Sequence, residues 1–193
     1  MRIILIRHPV TKANIEGIVL HNVTGELDER GYEQISKLVK RLEHEPIDKI
    51  YSSDAYRCKI LVEEIANSRG LNVNYNPLFR EIDHGELFGK KKDEISRLFL
   101  ENPEYVQPKN GESLTDLAHR AQNAFYLIKN GGGEKVILIS HGWFLKMFLG
   151  NQLGMTPHNS IKKLKFSNCA ISEIKLTEDD CIVEYLNNRD YLK

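Results

Sequence analysis

The chain has 193 residues, of which 41% are hydrophobic and 28% charged, a size and composition that predict one hydrophobic core and a single domain over residues 1–193. Lys plus Arg and Asp plus Glu stand at 27 each, for a formal net charge of zero, which gives no support to a nucleic-acid or membrane partner. The three cysteines, Cys58, Cys169 and Cys181, form no CxxC pair and are odd in number, so a disulfide framework is not expected and a reducing, cytoplasmic setting is.

Residues 3–6, Ile-Ile-Leu-Ile, are too short a run to span a bilayer and read as a strand buried on both faces. Residues 28–43 read as a helix: Ile35, Leu38, Val39 and Leu42 fall at i, i+3, i+4 and i+7, and Asp28 is a good N-cap. A short strand at 48–51 leads into a helix at 54–68 with Cys58, Leu61, Val62 and Ile65 on one stripe, then a strand at 72–75. A helix at 92–101 is expected to close at Pro103. Residues 113–129 form a further helix, with Ser113 and Asp116 at capping-box spacing, stopped by the glycines at 131–133. A strand at 135–139, a helix at 143–153 and two strands at 169–176 and 181–185, joined by a turn at 177–180, complete the pattern. Alternating strands and helices predict an α/β protein, a three-layer α/β/α sandwich on a mostly parallel sheet. Its ligands should bind beyond the carboxyl ends of the strands.

Those ends carry Arg7-His8, Ser52-Ser53-Asp54 with Arg57 one helical turn later, and Ser140-His141-Gly142. Two guanidiniums and two imidazoles at one sheet edge make an anion site, because the arginine fork matches the oxygens of a phosphate. The helix expected after His141 adds backbone N–H groups, Gly142 first. A histidine can also attack phosphorus, and phosphoryl transfer otherwise needs mainly positioning and charge stabilisation. A proton donor for the leaving oxygen is the remaining requirement, and Glu81 is the candidate. His21, His44, His119 and His158 carry no such pattern. His84 reads more readily as structural than as pocket-lining, Lys90-Lys91-Lys92 as a solvated helix start rather than an attraction for anionic substrates, and Trp143 and Phe144 as helix-to-sheet packing. No zinc-type spacing and no P-loop is present.

The ordered segments resemble the histidine phosphatase superfamily, the phosphoglycerate-mutase-like group, over nearly the whole chain. Ile4-Leu5-Ile6-Arg7-His8 is similar to its opening strand, with Thr11 and Asn14 following; Leu27 and Gly31, Tyr51 to Asp54 with Arg57, Arg80-Glu81 with Gly85 and Gly89, Gly111-Glu112-Ser113, Ser140-His141-Gly142 and Asn168 match its later segments in order. The resemblance implies that His8 becomes phosphohistidine, that Arg7, Arg57 and His141 bind the phosphoryl group with Asn14, Thr11 and Gly142 assisting, and that Glu81 protonates the leaving oxygen and then activates water. It implies neither metal nor cofactor, and a small phosphorylated metabolite as substrate.

The chain departs from the family pattern at Pro9, where Gly is usual, at Asp28, where Thr is usual, and at Phe88, where many members have an acid. Proline removes a backbone N–H and restricts His8 to extended conformations. Hydrolysis of a phosphomonoester is the leading expectation. A phosphoglycerate mutase is the first alternative, disfavoured because Glu81 and Gly111 stand only 30 positions apart, without the long insertion usual in mutases. A non-catalytic phosphate-binding module is the second. Specificity is expected from residues 82–109, and the oligomeric state is left open.

Overall fold

The computed structural model describes residues 1–21, 24–101, 106–178 and 180–193; Pro103 and Asp179, expected to end a helix and to lie in a turn, fall outside them. One mixed sheet of six strands organises the fold: β1 (Arg2–Arg7), β2 (Lys49–Ser52), β3 (Val73–Tyr75), β4 (Lys135–Ser140), β5 (Ile171–Leu176) and β6 (Cys181–Asn188), in the order β3-β2-β4-β1-β5-β6. The first four run parallel, while β5 and β6 add antiparallel at the β1 side.

Alternation along the central strands divides the core. Ile3, Leu5, Val136 and Leu138 face one side, where α4 (Lys92–Glu101), α5 (Leu114–Gly131) and α6 (Gly142–Gln152) pack. Ile4, Ile6, Ile137 and Ile139 face the other, covered by α2 (Glu29–Leu42) and α3 (Tyr56–Asn67). Period-two side chains on strands buried on both faces produce this three-layer α/β/α arrangement. Gly31 is fixed by the same packing: a Cβ there would stand 2.5 Å from the Val10 carbonyl oxygen.

Several element ends differ from the sequence reading. Helix α3 begins at Tyr56 rather than at Asp54, because the Asp54 carboxylate is engaged by Arg80 through Nε (2.7 Å) and Nη2 (2.5 Å) and Ala55 caps the helix without a side-chain bond. Helix α5 runs on through Gly131 and stops at Gly132 (φ 69°). Strand β5 begins at Ile171 because Cys169 takes a positive φ of 51°. Two short helices were not anticipated. The first, α1 (Lys12–Glu16), is closed by a reciprocal Thr11–Asn14 capping box; the second, α7 (Pro157–Lys163), is capped by Thr156 with proline in its first turn.

The sheet order brings the chemistry together. Because β4 lies between β1 and β2, and Arg7 pairs with Ser140 while Ser52 pairs with Ile139, the three strands deliver His8, Ser53 and His141 to one edge. The His8 amide donates to the Ser140 carbonyl (2.9 Å) and the Ser53 amide to that of Ile139 (3.0 Å).

Candidate active site

A cavity of about 310 Å³ opens at this edge, its floor formed by Arg7, His8, Arg57, Glu81 and Gly142. The buried His8 ring lies 5.3 Å, centroid to centroid, from that of His141. His8 Nδ1 is 2.7 Å from the Pro9 carbonyl oxygen. A carbonyl only accepts, so Nδ1 carries the proton and Nε2 keeps its lone pair. Burial, followed by the charges of Arg57 and Arg7, holds His8 well below the usual histidine range. The imidazole is therefore neutral at physiological pH, the state a nucleophile needs. Pro9 thus gives up an amide but orients the ring through its carbonyl. Asn168 Nδ2 reaches the carbonyls of His8 (2.9 Å) and Pro9 (3.2 Å) as well as Asn14 Oδ1 (3.1 Å), and so pins the turn.

The cations are held from outside the cavity. Arg7 Nη1 donates to the Phe166 carbonyl (2.9 Å), while its buried Nε has no hydrogen-bond partner. Gly142 lets this guanidinium lie close: a Cβ there would sit 3.4 Å from Arg7 Cζ and Nε. Arg57, in the first turn of α3, donates through Nη1 to the carbonyls of His21 (3.2 Å) and Thr24 (2.5 Å). Burial lowers the Arg7 pKa, the Glu81 charge opposes the shift and Arg57 adds to it.

His141 is fully buried and does not line the cavity wall itself. Its Nε2 shares a 2.8 Å hydrogen bond with Ser53 Oγ, leaving Nδ1 without a hydrogen-bond partner. Burial first, then Arg57 and His8, hold this ring well below the usual histidine range. The neighbouring Cys58 thiol is pushed up to about 12 by burial, so it stays protonated and is no rival nucleophile.

Glu81 does not pair with Arg80. Its carboxylate caps α6 instead, accepting from the amides of Trp143 (3.1 Å) and Phe144 (2.9 Å) as well as from Ile82 (3.1 Å). Of the N–H groups that the sequence offered for phosphate at this helix start, these two are already engaged, which leaves Gly142. The segment bearing Glu81 is clasped by Arg120, a residue not singled out from sequence. It donates to the carbonyls of Leu78 (2.9 Å), Arg80 (2.7 Å) and Glu81 (3.0 Å) while forming a two-pronged pair with Glu112 at 2.6 Å on each prong.

Asn14 lines the cavity. Thr11 does not: it is fully buried and its hydroxyl accepts from the Asn14 amide (3.2 Å), so its part is to hold α1, and through it Asn14. Four sequence readings need correction or extension. His84 lines the cavity inside a ring of Phe88, Phe99 and Trp143. Trp143 lines it too, beyond packing its helix. Lys92, exposed at the start of α4 as expected, is also part of the cavity wall. Residues 18–20 form another part, because Ile18 bridges to Lys91 and the Gly89 amide donates to the Val19 carbonyl (3.0 Å); the cavity wall is therefore not drawn from residues 82–109 alone. Phe88 stacks 4.8 Å from His21. Among the described residues, no group of three or more His, Cys, Asp and Glu side chains is arranged to hold a metal ion, and no helix is long and apolar enough to cross a membrane.

Known proteins share this architecture. The α-ribazole phosphatase from Shigella flexneri superposes with a TM-score of 0.88 at 21% identity, over 97% of this chain and 96% of that one. A phosphoserine phosphatase mutant from Entamoeba histolytica in complex with phosphoserine gives 0.87 at 24% identity, over 100% and 99%. In sequence, the protein named probable phosphoglycerate mutase GpmB of Yersinia pestis (strain Pestoides F) is 27% identical over 186 residues, 92% of this chain and 86% of that protein. The sequence model of the histidine phosphatase superfamily (branch 1) matches residues 3–189, and the chain belongs to that family.

Proposed function

We propose that this protein hydrolyses a small phosphomonoester through a phosphohistidine on His8, without a metal. The observation that carries the reading is the His8 tautomer: Nδ1–H is bound to the Pro9 carbonyl, and Nε2 is a neutral lone pair set beside Arg7 and Arg57. In the first step Nε2 bonds to phosphorus as the ester P–O bond breaks. Arg7, Arg57 and the Gly142 amide stabilise the equatorial oxygens, Asn14 assists, the buried His141 backs the His8 ring at 5.3 Å between centroids, and Glu81 gives its proton to the departing alkoxide. In the second step water attacks the phosphohistidine, Glu81 takes a proton from it, and the N–P bond breaks to release inorganic phosphate and restore neutral His8.

The test is hydrolysis of p-nitrophenyl phosphate by the wild type and by His8→Ala, in buffer with a chelator. Turnover by the wild type that falls roughly 10³-fold or more in the variant supports the reading; equal rates end it. The mutase alternative draws on the likeness to the Yersinia pestis protein. Rapid 3-phosphoglycerate conversion, with or without bisphosphoglycerate, outpacing phosphate release would favour it.

A further inference from the structure

Three serines are fully buried at the carboxyl edge of the sheet: Ser52, Ser53 and Ser140. Two of them spend their hydroxyls on the backbone. Ser52 Oγ donates to the Ser53 carbonyl (2.9 Å) and Ser140 Oγ to that of Phe79 (2.6 Å). Ser53 instead turns its hydroxyl to a side chain, Nε2 of His141 at 2.8 Å. The sheet builds this contact. β2 lies beside β4, and the Ser53 amide carries their parallel pairing one bond further, to the Ile139 carbonyl (3.0 Å). Ser53 and His141 thereby leave neighbouring strands side by side, although 88 positions separate them in the sequence.

A hydroxyl has one proton to give and lone pairs with which to receive. Ser53 Oγ receives the Ala55 amide (3.3 Å). Its own proton then needs an acceptor. The Cys58 sulfur, 3.6 Å from the same Nε2, is a weak one, and the thiol has its own outlet in the Ser140 carbonyl at 3.8 Å. The nitrogen of a neutral imidazole is a strong acceptor. Donation from Ser53 to Nε2 satisfies the hydroxyl and puts the ring proton on Nδ1. The opposite tautomer would leave the Ser53 proton to sulfur and bury a bare Nδ1 lone pair. Nδ1 has no hydrogen-bond partner among the described residues, while its ring stands 5.3 Å from that of His8 and in the field of Arg57 and Arg7. Where two guanidiniums draw an anion in, an uncommitted N–H is stabilising and a bare lone pair is repulsive.

We propose that Ser53 is a positioning residue: its hydroxyl donates to His141 Nε2, fixes that ring as the Nδ1–H tautomer, and so leaves Nδ1–H as the ring's one uncommitted donor for a phosphoryl group on His8. One nitrogen's partner decides which nitrogen holds the proton. The use made of the donor rests on the hydrolase reading above; the tautomer does not.

Two-bond ¹H–¹⁵N correlation spectra of protein labelled at histidine nitrogen test the proposal directly, with the His141 signals identified by their absence from His141→Gln. The wild type should show His141 protonated on Nδ1 and bare on Nε2. Ser53→Ala should lose that pattern, and Ser53→Thr, which keeps the hydroxyl, should retain it. In steady-state kinetics with p-nitrophenyl phosphate, Ser53→Ala should lose about tenfold or more in kcat with a smaller change in KM, less than the roughly 10²–10³-fold that outright removal of one transition-state donor costs. Ser53→Cys keeps the volume and weakens the donor, so it answers in place of an unstable Ser53→Ala. A wild-type ring protonated on Nε2, an Nδ1–H pattern indifferent to Ser53, or an altered pattern with full kcat overturns the proposal. Absence of turnover by the wild type, with an Nδ1–H pattern that depends on Ser53, overturns the hydrolase reading alone.

Discussion

The Glu81 carboxylate and the Phe144 amide are joined by a hydrogen bond of 2.9 Å, which fastens the candidate acid to the first turn of the helix that follows His141. The candidate acid and the His141 imidazole are thereby set by one element, although they lie 60 positions apart in the sequence. Glu81→Gln keeps the size but turns an amide NH₂ toward backbone donors and removes the transferable proton. The expected loss in kcat is roughly 10²–10⁴-fold for an alkyl phosphate. It should be clearly smaller for p-nitrophenyl phosphate, whose phenolate departs without protonation. Comparing the two substrates in steady-state kinetics checks this; equal losses would place Glu81 outside proton transfer.

Arg120 ties three carbonyls of the Glu81 segment to Glu112, and Glu112 Oε2 also accepts from the Asp83 amide (2.8 Å). Both side chains are largely buried, so removing one partner leaves an uncompensated charge. Arg120→Met should destabilise the fold by about 3 kcal/mol, read as a lower midpoint in urea. The variant that remains folded should lose kcat because the backbone carrying Glu81 loses its Arg120 anchor, although the carboxylate keeps its amide partners. A full-rate Arg120→Met enzyme would show that the clasp is dispensable for catalysis.

The pH dependence follows from His8 and His141, both held below the free histidine range chiefly by burial. Each binds its proton more weakly folded than unfolded. Their contribution to stability is therefore complete above the unfolded value near 6.5 and is lost as the pH falls below it. Carboxylates titrate over part of the same window, so the informative quantity is the difference between wild type and His8→Asn. The wild type should lose more urea resistance between pH 7 and pH 5 than the variant does. The acid limb of kcat/KM for the free enzyme should likewise show no ionisation of His8 at 6.5, since burial first, then the charges of Arg57 and Arg7, oppose its protonation.

Strongly periodic segments were legible in the sequence. The apolar stripe of Ile35, Leu38 and Leu42, and the double-faced strands at 3–6 and 135–139, match buried positions in α2, β1 and β4. The convergence of Arg7, His8, Arg57 and His141 was legible because strand-end residues in an α/β sheet converge whatever their separation along the chain. What escaped depends on contacts that periodicity does not encode. Helix α1 is five residues held by Thr11 and Asn14, too short for an apolar stripe. The start of α7 does carry a signal, the Thr156 cap ahead of Pro157. Arg120, His84 and Lys92 look like ordinary helix and loop residues until the fold turns them toward Glu81 and the cavity.

The most direct measurement is identification of the phosphorylated residue. The protein is mixed with a ³²P-labelled phosphomonoester, quenched in alkali within milliseconds, digested and analysed by mass spectrometry. Label on the peptide containing His8, stable in alkali, released in mild acid and absent from His8→Ala, is the predicted result. Label that survives acid on a serine, such as Ser53 beside His141, or turnover that leaves no phosphoenzyme on His8 at any quench time, would contradict the account.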